Sequence, residues 1–236
     1  AALGAARRLD HQGGQARIHH GLGRAHFRLG QYDDAANHLQ QALHLFGVSG
    51  DQVGQAHARY SLGWVCERQG RHDEGLCHAE HALRLYTAVT DRAGQARALN
   101  TIGRRHLQLG DTERAVSCCW RALAMQRQIG NKPGEADAWD SLGLAYHLLG
   151  NNHMAAMCYR RAIDLYRSLG AYYDEAETLD RLGDAYLSGG DPDAAHTALQ
   201  SAREIFEQLG HPQANTIRTK LDGMRRAFAE PRPPRC

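Results

Sequence analysis

Apolar and small residues recur along this chain with a short helical spacing laid over a long period of 40 residues. Leu22-Gly23, Leu62-Gly63, Ile102-Gly103, Leu142-Gly143 and Leu182-Gly183 share one phase, and Ala42, Ala82, Ala122, Ala162 and Ala202 share another. Self-similarity at this period marks a stacked repeat array, in which each unit buries its apolar face on its neighbours.

Residues 51–90 show how one unit works. From Gln55 to Arg68, Ala56, Leu62, Val65 and Cys66 fall on helical spacing and predict an amphipathic helix A. Gly70 stops it, and Gly30, Gly110, Gly150 and Gly190 recur at that phase, where glycine supplies the left-handed residue beyond a helix end. Gln31, Arg71, Asp111, Asn151 and Asp191 then open the next helix, the last three being good N-caps. Helix B, His72 to Ala88, has Leu76, Ala79, Leu83 and Tyr86 as its expected apolar stripe. A second turn follows at Thr90-Asp91, marked elsewhere by Gly50, Gly130, Gly170 and Gly210. The glycine inside helix A, Gly63 here, costs about 1 kcal/mol relative to alanine. Its recurrence therefore calls for a packing reason, and pairs such as Gly23/Ala35 and Gly143/Ala155 suggest that small residues let the two helices approach closely.

Composition narrows the functional classes. A net charge of +2 and a pI near 8.3 lack the strong basic stripe of a duplex-DNA binder, so direct nucleic-acid binding is not expected. Mean hydropathy is −0.56 and no apolar stretch approaches the roughly 20 residues of a membrane span, so a soluble protein without membrane contact is expected. The six cysteines show neither C-x-x-C spacing nor the density of a disulfide scaffold, which suits a reducing cytoplasm. Cys118 and Cys158 are repeat equivalents, as are His38 and His78. Helices packed about 8–10 Å apart suit a metal held at about 2.0–2.3 Å poorly, so core packing is expected and no metal or cofactor. No G-x-x-x-x-G-K-[ST] loop, H-E-x-x-H helix or G-x-S-x-G elbow occurs, and no enzyme activity is expected.

The repeats resemble tetratricopeptide repeats over roughly residues 11–210. The L-G pair, the aromatic three residues later at Tyr146 and Tyr186, and the small residues at Ala115/Ala155 and Ala122/Ala162 carry the likeness. The usual closing proline is absent, with Gly47, Thr87, Arg127, Arg167 and Glu207 in its place, so helix B is longer than the family's. His26, Cys66 and His106 fill the aromatic slot of the first three repeats, from which looser packing is expected there. The resemblance implies an all-α, right-handed superhelical solenoid of antiparallel helix hairpins. Its expected parts are the end of a preceding helix B (1–10), repeats at 11–50, 51–90, 91–130, 131–170 and 171–210, a capping helix (211–229) and a disordered tail (230–236). Because Ala2-Leu3 aligns with Ala42-Leu43, the chain is expected to be a piece of a longer protein.

Phrases such as Asp91-Arg-Ala-Gly-Gln-Ala-Arg-Ala-Leu-Asn and Leu182-Gly-Asp-Ala-Tyr-Leu resemble the C-terminal arrays of actinobacterial AfsR/SARP-type transcriptional regulators. In that family the array follows DNA-binding and NB-ARC domains and serves as a sensor or interaction region. A 40-residue period is shared with kinesin light chains and animal polarity scaffolds. A stand-alone scaffold and a bacterial peptide-pheromone receptor are therefore the alternative readings.

In tetratricopeptide arrays helix A lines the ligand groove. Carrying those phases over from the L-G anchor gives Arg17, His20, Arg24, Phe27, Arg28, His57, Tyr60, Trp64, Arg68, Arg97, Asn100 and Arg104 in the first three repeats, with Glu67 the lone acid. The last two repeats give Asp137, Asp140, His147, Glu177, Asp180 and Asp184. A protein or peptide partner is expected, its acidic part toward repeats one to three, or another domain of the same full-length protein. Arginine and aromatic residues are enriched at binding hot spots. The competing reading is that these charges are solvated or pair within the chain. Of the tryptophans, only Trp64 is expected to touch a ligand, Trp139 being assigned to the core.

Overall fold

Capping chemistry and glycine turns cut the chain into helices of nearly equal length. The computed structural model describes residues 12–229, and among these it contains eleven α-helices. They are α1 (Gln12–Arg28), α2 (Tyr32–Val48), α3 (Gln52–Arg68), α4 (His72–Ala88), α5 (Arg92–Gln108) and α6 (Thr112–Gln128), followed by α7 (Lys132–Leu148), α8 (Asn152–Leu169), α9 (Tyr172–Ser188), α10 (Pro192–Gln208) and α11 (Gln213–Ala229). The expected helix at 1–10 and tail at 230–236, with Cys236, lie outside the described residues.

Helix A of the second repeat begins a turn earlier than its apolar spacing predicts. Asp51 accepts a hydrogen bond from the Gly54 amide at 2.8 Å, and Asp91 and Asn131 cap α5 and α7 in the same way. Asp111, Asn151 and Asp191 cap the B helices as the sequence predicts, whereas Gln31 and Arg71 make no side-chain cap. Both turn classes end in a left-handed residue. Thr90, at φ 55°, takes this conformation where the other repeats use glycine.

The chain divides into two compact units, Ala1–Ile129 and Gly130–Cys236. In the first, α1–α2, α3–α4 and α5–α6 form hairpins, α2 packs on α3, and α4 packs on α5. In the second, α7–α8 and α9–α10 repeat that arrangement, and α11 packs on α10. The buried stripe of α4 is centred on Gly75, Ala79, Ala82 and Tyr86, with Leu76 and Leu83 half-buried at its flank. Helix B faces both its own helix A and the next one, which turns the stripe toward the smaller residues.

The mid-helix glycines mark the tightest approach within each hairpin. A Cβ on Gly23 or Gly183 would stand 2.6 Å from the Cγ of Leu39 or Leu199, and one on Gly103 or Gly143 would stand 2.5 Å from Cys119 Sγ or the Tyr159 ring. At Gly143 the nearest atoms are thus those of Tyr159 rather than the expected Ala155. Gly63 instead faces the Gly75 carbonyl oxygen, 3.2 Å from where its Cβ would lie. The looser packing expected at the aromatic slot is not found at Cys66 or His106, which are buried, while Tyr146 and Tyr186 are half-buried. His26, in the same slot of the first repeat, is half-buried like the tyrosines.

Gly223 of α11 stands at the same 40-residue phase, yet nothing lies within 4 Å of its would-be Cβ. Replacing Gly183 with alanine is therefore expected to lower unfolding free energy by about 1–3 kcal/mol through overpacking, whereas Gly223→Ala raises it by up to about 1 kcal/mol by removing a helix-interior glycine. Urea denaturation of the two variants beside the parent chain checks the opposite signs.

Candidate functional site

Burying Ala56, Ala58, Leu62, Val65 and Cys66 on one side of α3 leaves His57, Tyr60 and Trp64 together on another, at helical spacings of three and four residues. On α1 the same geometry presents His20, Arg24, Phe27 and Arg28. These side chains, with Leu39 of α2, Ser61 of α3 and Arg97 of α5, line a groove of about 540 Å³ within the first unit. Eight of the twelve basic and aromatic positions expected from the sequence meet there. Arg17, Arg68, Asn100 and Arg104 do not line it. Arg68 donates instead to the Tyr32 hydroxyl at 3.2 Å, and the Asn100 side-chain oxygen is buried without a hydrogen-bond partner.

The groove is aromatic at its centre and cationic at its edges. Tyr60 and Trp64 meet edge to face with centroids 6.3 Å apart, and the Arg97 guanidinium lies 6.0 Å from the Tyr60 ring. Among the described residues no carboxylate forms an ion pair with Arg24, Arg28 or Arg97, and the lining contains no acid. His20 Nε2 lies 3.2 Å from Ser61 Oγ, and His57 Nδ1 lies 2.8 Å from the Tyr86 hydroxyl. Burial lowers the proton affinity of both imidazoles. Arg24 and His57 add to the effect at His20, and Arg97 adds to it at His57.

Sequence phase alone missed Arg105. It is 1% exposed, its guanidinium pairs with Glu67, donates to Gln108 Oε1 at 2.9 Å and stacks 5.7 Å from the Trp64 ring. Burial opposes ionisation of Glu67, but the hydrogen bond and charge of Arg105 outweigh it and hold the carboxyl below its usual range. The one acid expected in the basic half is thus already engaged, on the structural support beneath Trp64.

In the second unit the acids have partners of their own. Arg181 binds both oxygens of Asp140 at 2.8 and 2.9 Å, Thr178 donates to Asp140 at 3.1 Å, and Glu177 accepts from Arg181 at 3.1 Å. Lys220 of α11 lies 2.6 Å from Asp180 and 2.9 Å from Asp184. Asp137 accepts from the Tyr166 hydroxyl at 2.8 Å, and His147 Nδ1 lies 3.0 Å from Asn152 Oδ1. Asp140, Glu177, Asp180 and Asp184 are therefore matched by the chain's own cations, and Asp137 by a tyrosine hydroxyl. Trp139 is buried, and Trp64 and Trp120 are exposed.

Among the described residues no group of three or more histidine, cysteine or acidic side chains could hold a metal ion, and no helix is long and apolar enough to cross a membrane. Cys66, Cys119 and Cys158 are buried, and burial pushes the Cys158 thiol up to about 12.

The family model described as tetratricopeptide repeat matches residues 14–88, 55–128, 94–168 and 134–208, which together span most of the sequence. The chain belongs to the tetratricopeptide repeat family. Tetratricopeptide repeats are protein-interaction scaffolds, and their helix A and helix B correspond to α1/α2 and each later hairpin. Several solved structures share the fold. BtubC (BKLC) from P. vanneervenii is 20% identical with a TM-score of 0.74, over 100% of this chain and 92% of that one. The apo form of RapI is 14% identical with a TM-score of 0.79, over 92% and 78%. A Signal Transduction ATPase with Numerous Domains (STAND) protein with a tetratricopeptide repeat sensor, from Pyrococcus horikoshii, is 16% identical with a TM-score of 0.78, over 93% of this chain but 34% of that one. Among curated proteins, none matches the chain.

Asp140 is 5% exposed at its side chain and Arg181 is 29% exposed. Arg181→Met is expected to cost about 2–3 kcal/mol, because it strands a desolvated carboxylate. The Asp140→Leu/Arg181→Met double variant is expected to recover most of that loss. Thermal or urea unfolding of the set measures it, and equal destabilisation of single and double variants contradicts the assignment.

Proposed function

We propose that this array recognises a protein or peptide segment whose acidic part lies against the first unit, as the sensor or interaction region of a larger AfsR/SARP-like regulator. The observation that carries the binding reading is the aromatic groove rimmed by Arg24, Arg28 and Arg97, three cations without an ion-paired carboxylate among the described residues. Exposed arginine beside tyrosine and tryptophan is the composition of interface hot spots, and unpaired positive charge selects for an acidic partner and speeds encounter. The second unit, whose acids are held by Arg181 and Lys220, supplies cohesion to the array under this reading. Support for the regulator context comes from the local likeness to AfsR/SARP arrays and from the shared fold of a STAND protein that carries a tetratricopeptide sensor.

A fluorescein-labelled peptide, Glu-Glu-Phe-Glu-Glu-Leu-Glu-Glu, tests the groove by anisotropy beside the same peptide with lysine for glutamate. The acidic peptide is expected to bind and the basic one to fail, and Arg24→Glu/Arg97→Glu is expected to weaken binding at least about tenfold by placing like charges against the ligand. Arg97 rather than Arg104 is reversed with Arg24, because Arg104 lies outside the lining. Equal binding of both peptides, or an unaffected double variant, sinks the reading. The regulator context predicts a phosphate-binding loop and a helix-turn-helix domain encoded upstream of Ala1; a gene that starts within one further repeat contradicts it.

A further inference from the structure

The two groove histidines differ from the other histidine pair of the first unit in what they can do with a proton. His19 and His38 lie Nδ1 to Nδ1 at 2.9 Å, so each nitrogen's role depends on the other and the contact accommodates one proton between them. His20 and His57 each face a hydroxyl instead, Ser61 and Tyr86, which can either donate or accept. Protonation at either groove imidazole therefore requires a hydroxyl to rotate and leaves the backbone in place.

Burial first, and then the charges around the pair, lower the proton affinity of these imidazoles in the free protein. From α1, Arg24 faces both; from α5, Arg97 faces His57; the His57 ring, its centroid 6.4 Å away, opposes charging of His20, while a hydrogen bond to the His57 backbone favours it. From α2 only the apolar Leu39 reaches the groove lining, and from α4 the neutral Tyr86 hydroxyl contacts His57. Asp91 and Asp51 act in the opposite sense on His57, but each carboxylate is already turned to an N-cap, on Gly94 and Gly54. The free groove thus concentrates positive potential on two groups that can take up a proton.

We propose that an acidic segment enters this groove together with protons: as its carboxylates settle on Arg24 and Arg97, His20 and His57 become charged, and capture tightens as the pH falls. The inference rests on the groove reading above and adds its regulation. A ligand carboxylate cancels the field of the arginines and contributes an attractive one of its own, so the imidazoles bind protons more tightly in the complex than in the free protein. The sign follows from linkage. Groups with higher proton affinity in the complex strengthen binding as pH falls through their titration range in the complex, and the gain levels off below their range in the free protein. The ligand's glutamates stay ionised throughout, since their ordinary titration lies near pH 4.3. The chain would then hold an acidic partner more firmly under mild acidification, with no change of fold.

The test uses the same labelled Glu-Glu-Phe-Glu-Glu-Leu-Glu-Glu peptide with the full chain, at constant ionic strength. Its Kd is expected to fall at least about threefold from pH 8 to pH 6, and calorimetry in phosphate and Tris buffers at pH 7 is expected to show net proton uptake on binding. In the His20→Gln/His57→Gln variant the slope of log Kd against pH is expected to flatten, whatever the absolute affinity. Binding with the same Kd across that range and no net proton exchange overturns the proposal and leaves the groove reading standing. A retained pH slope in the double variant also overturns it, by placing the proton elsewhere. Absence of binding at every pH overturns both readings.

Discussion

The separation of the two helices in each hairpin is set by a residue with no side chain. Where helix A presents Gly23, Gly103, Gly143 or Gly183, a leucine, cysteine or tyrosine of helix B occupies the space that a Cβ would need. This contact fixes the rotation of helix A about its own axis. With the glycine turned inward, Ala56, Ala58, Leu62, Val65 and Cys66 are buried, and His57, Tyr60 and Trp64 can only point away from the hairpin. The groove is therefore a consequence of the packing. Apart from Leu39, its lining lies on helix A at positions that the glycine excludes from the core, and the 40-residue register brings His20 and Ser61, then Tyr60 and Thr101, within hydrogen-bonding reach.

That same register decides which charges remain available. Adjacent A helices meet through side chains 36–41 residues apart in sequence, so each position is read against the corresponding position of the next repeat. In the second unit these neighbours have opposite charge: Asp140 meets Arg181, and Asp180 and Asp184 meet Lys220. Burial alone would lower the proton affinity of Lys220, yet its hydrogen bonds to the two aspartates outweigh that and raise it. In the first unit Arg24 is set beside imidazoles and Arg97 beside a tyrosine ring. A net charge of +2 describes neither surface.

The helices and turns were legible because their determinants are local. Glycine at a left-handed position and Asp or Asn at an N-cap act within four residues, and the helix His72–Ala88 has the ends that its sequence predicts. The caps at Asp51, Asp91 and Asn131 were equally local, but apolar periodicity conceals them since the first turn they support carries little of the stripe. The groove was legible as a set of phases and less so as a set of side chains. Arg104 and Arg105 are adjacent and chemically alike; Arg105 is buried and paired with Glu67, 38 residues away, whereas Arg104 is half-buried. Nothing within the helix distinguishes them. The pairing of the acids in the second unit likewise depends on Lys220, which lies on a helix that the sequence identified only as a cap.

Histidine shows most plainly how tertiary partners override composition. Fifteen histidines in the chain invite a uniform expectation of sensitivity near neutral pH. Yet His19 and His38 are locked to each other, His26 stacks on His38 at 5.2 Å, and His81 Nδ1 contacts the Cys77 carbonyl oxygen on its own helix. Each of these rings is engaged by a neighbouring ring or by its own helix. At His20 and His57 the partners are hydroxyls, the surroundings are cationic, and the open side faces the groove. A negative charge arriving from solvent can therefore alter the protonation of these two residues without first breaking a contact within the fold. The property belongs to the juxtaposition of α1, α3, α4 and α5, and it would vanish if any one of them carried its polar groups at a different phase.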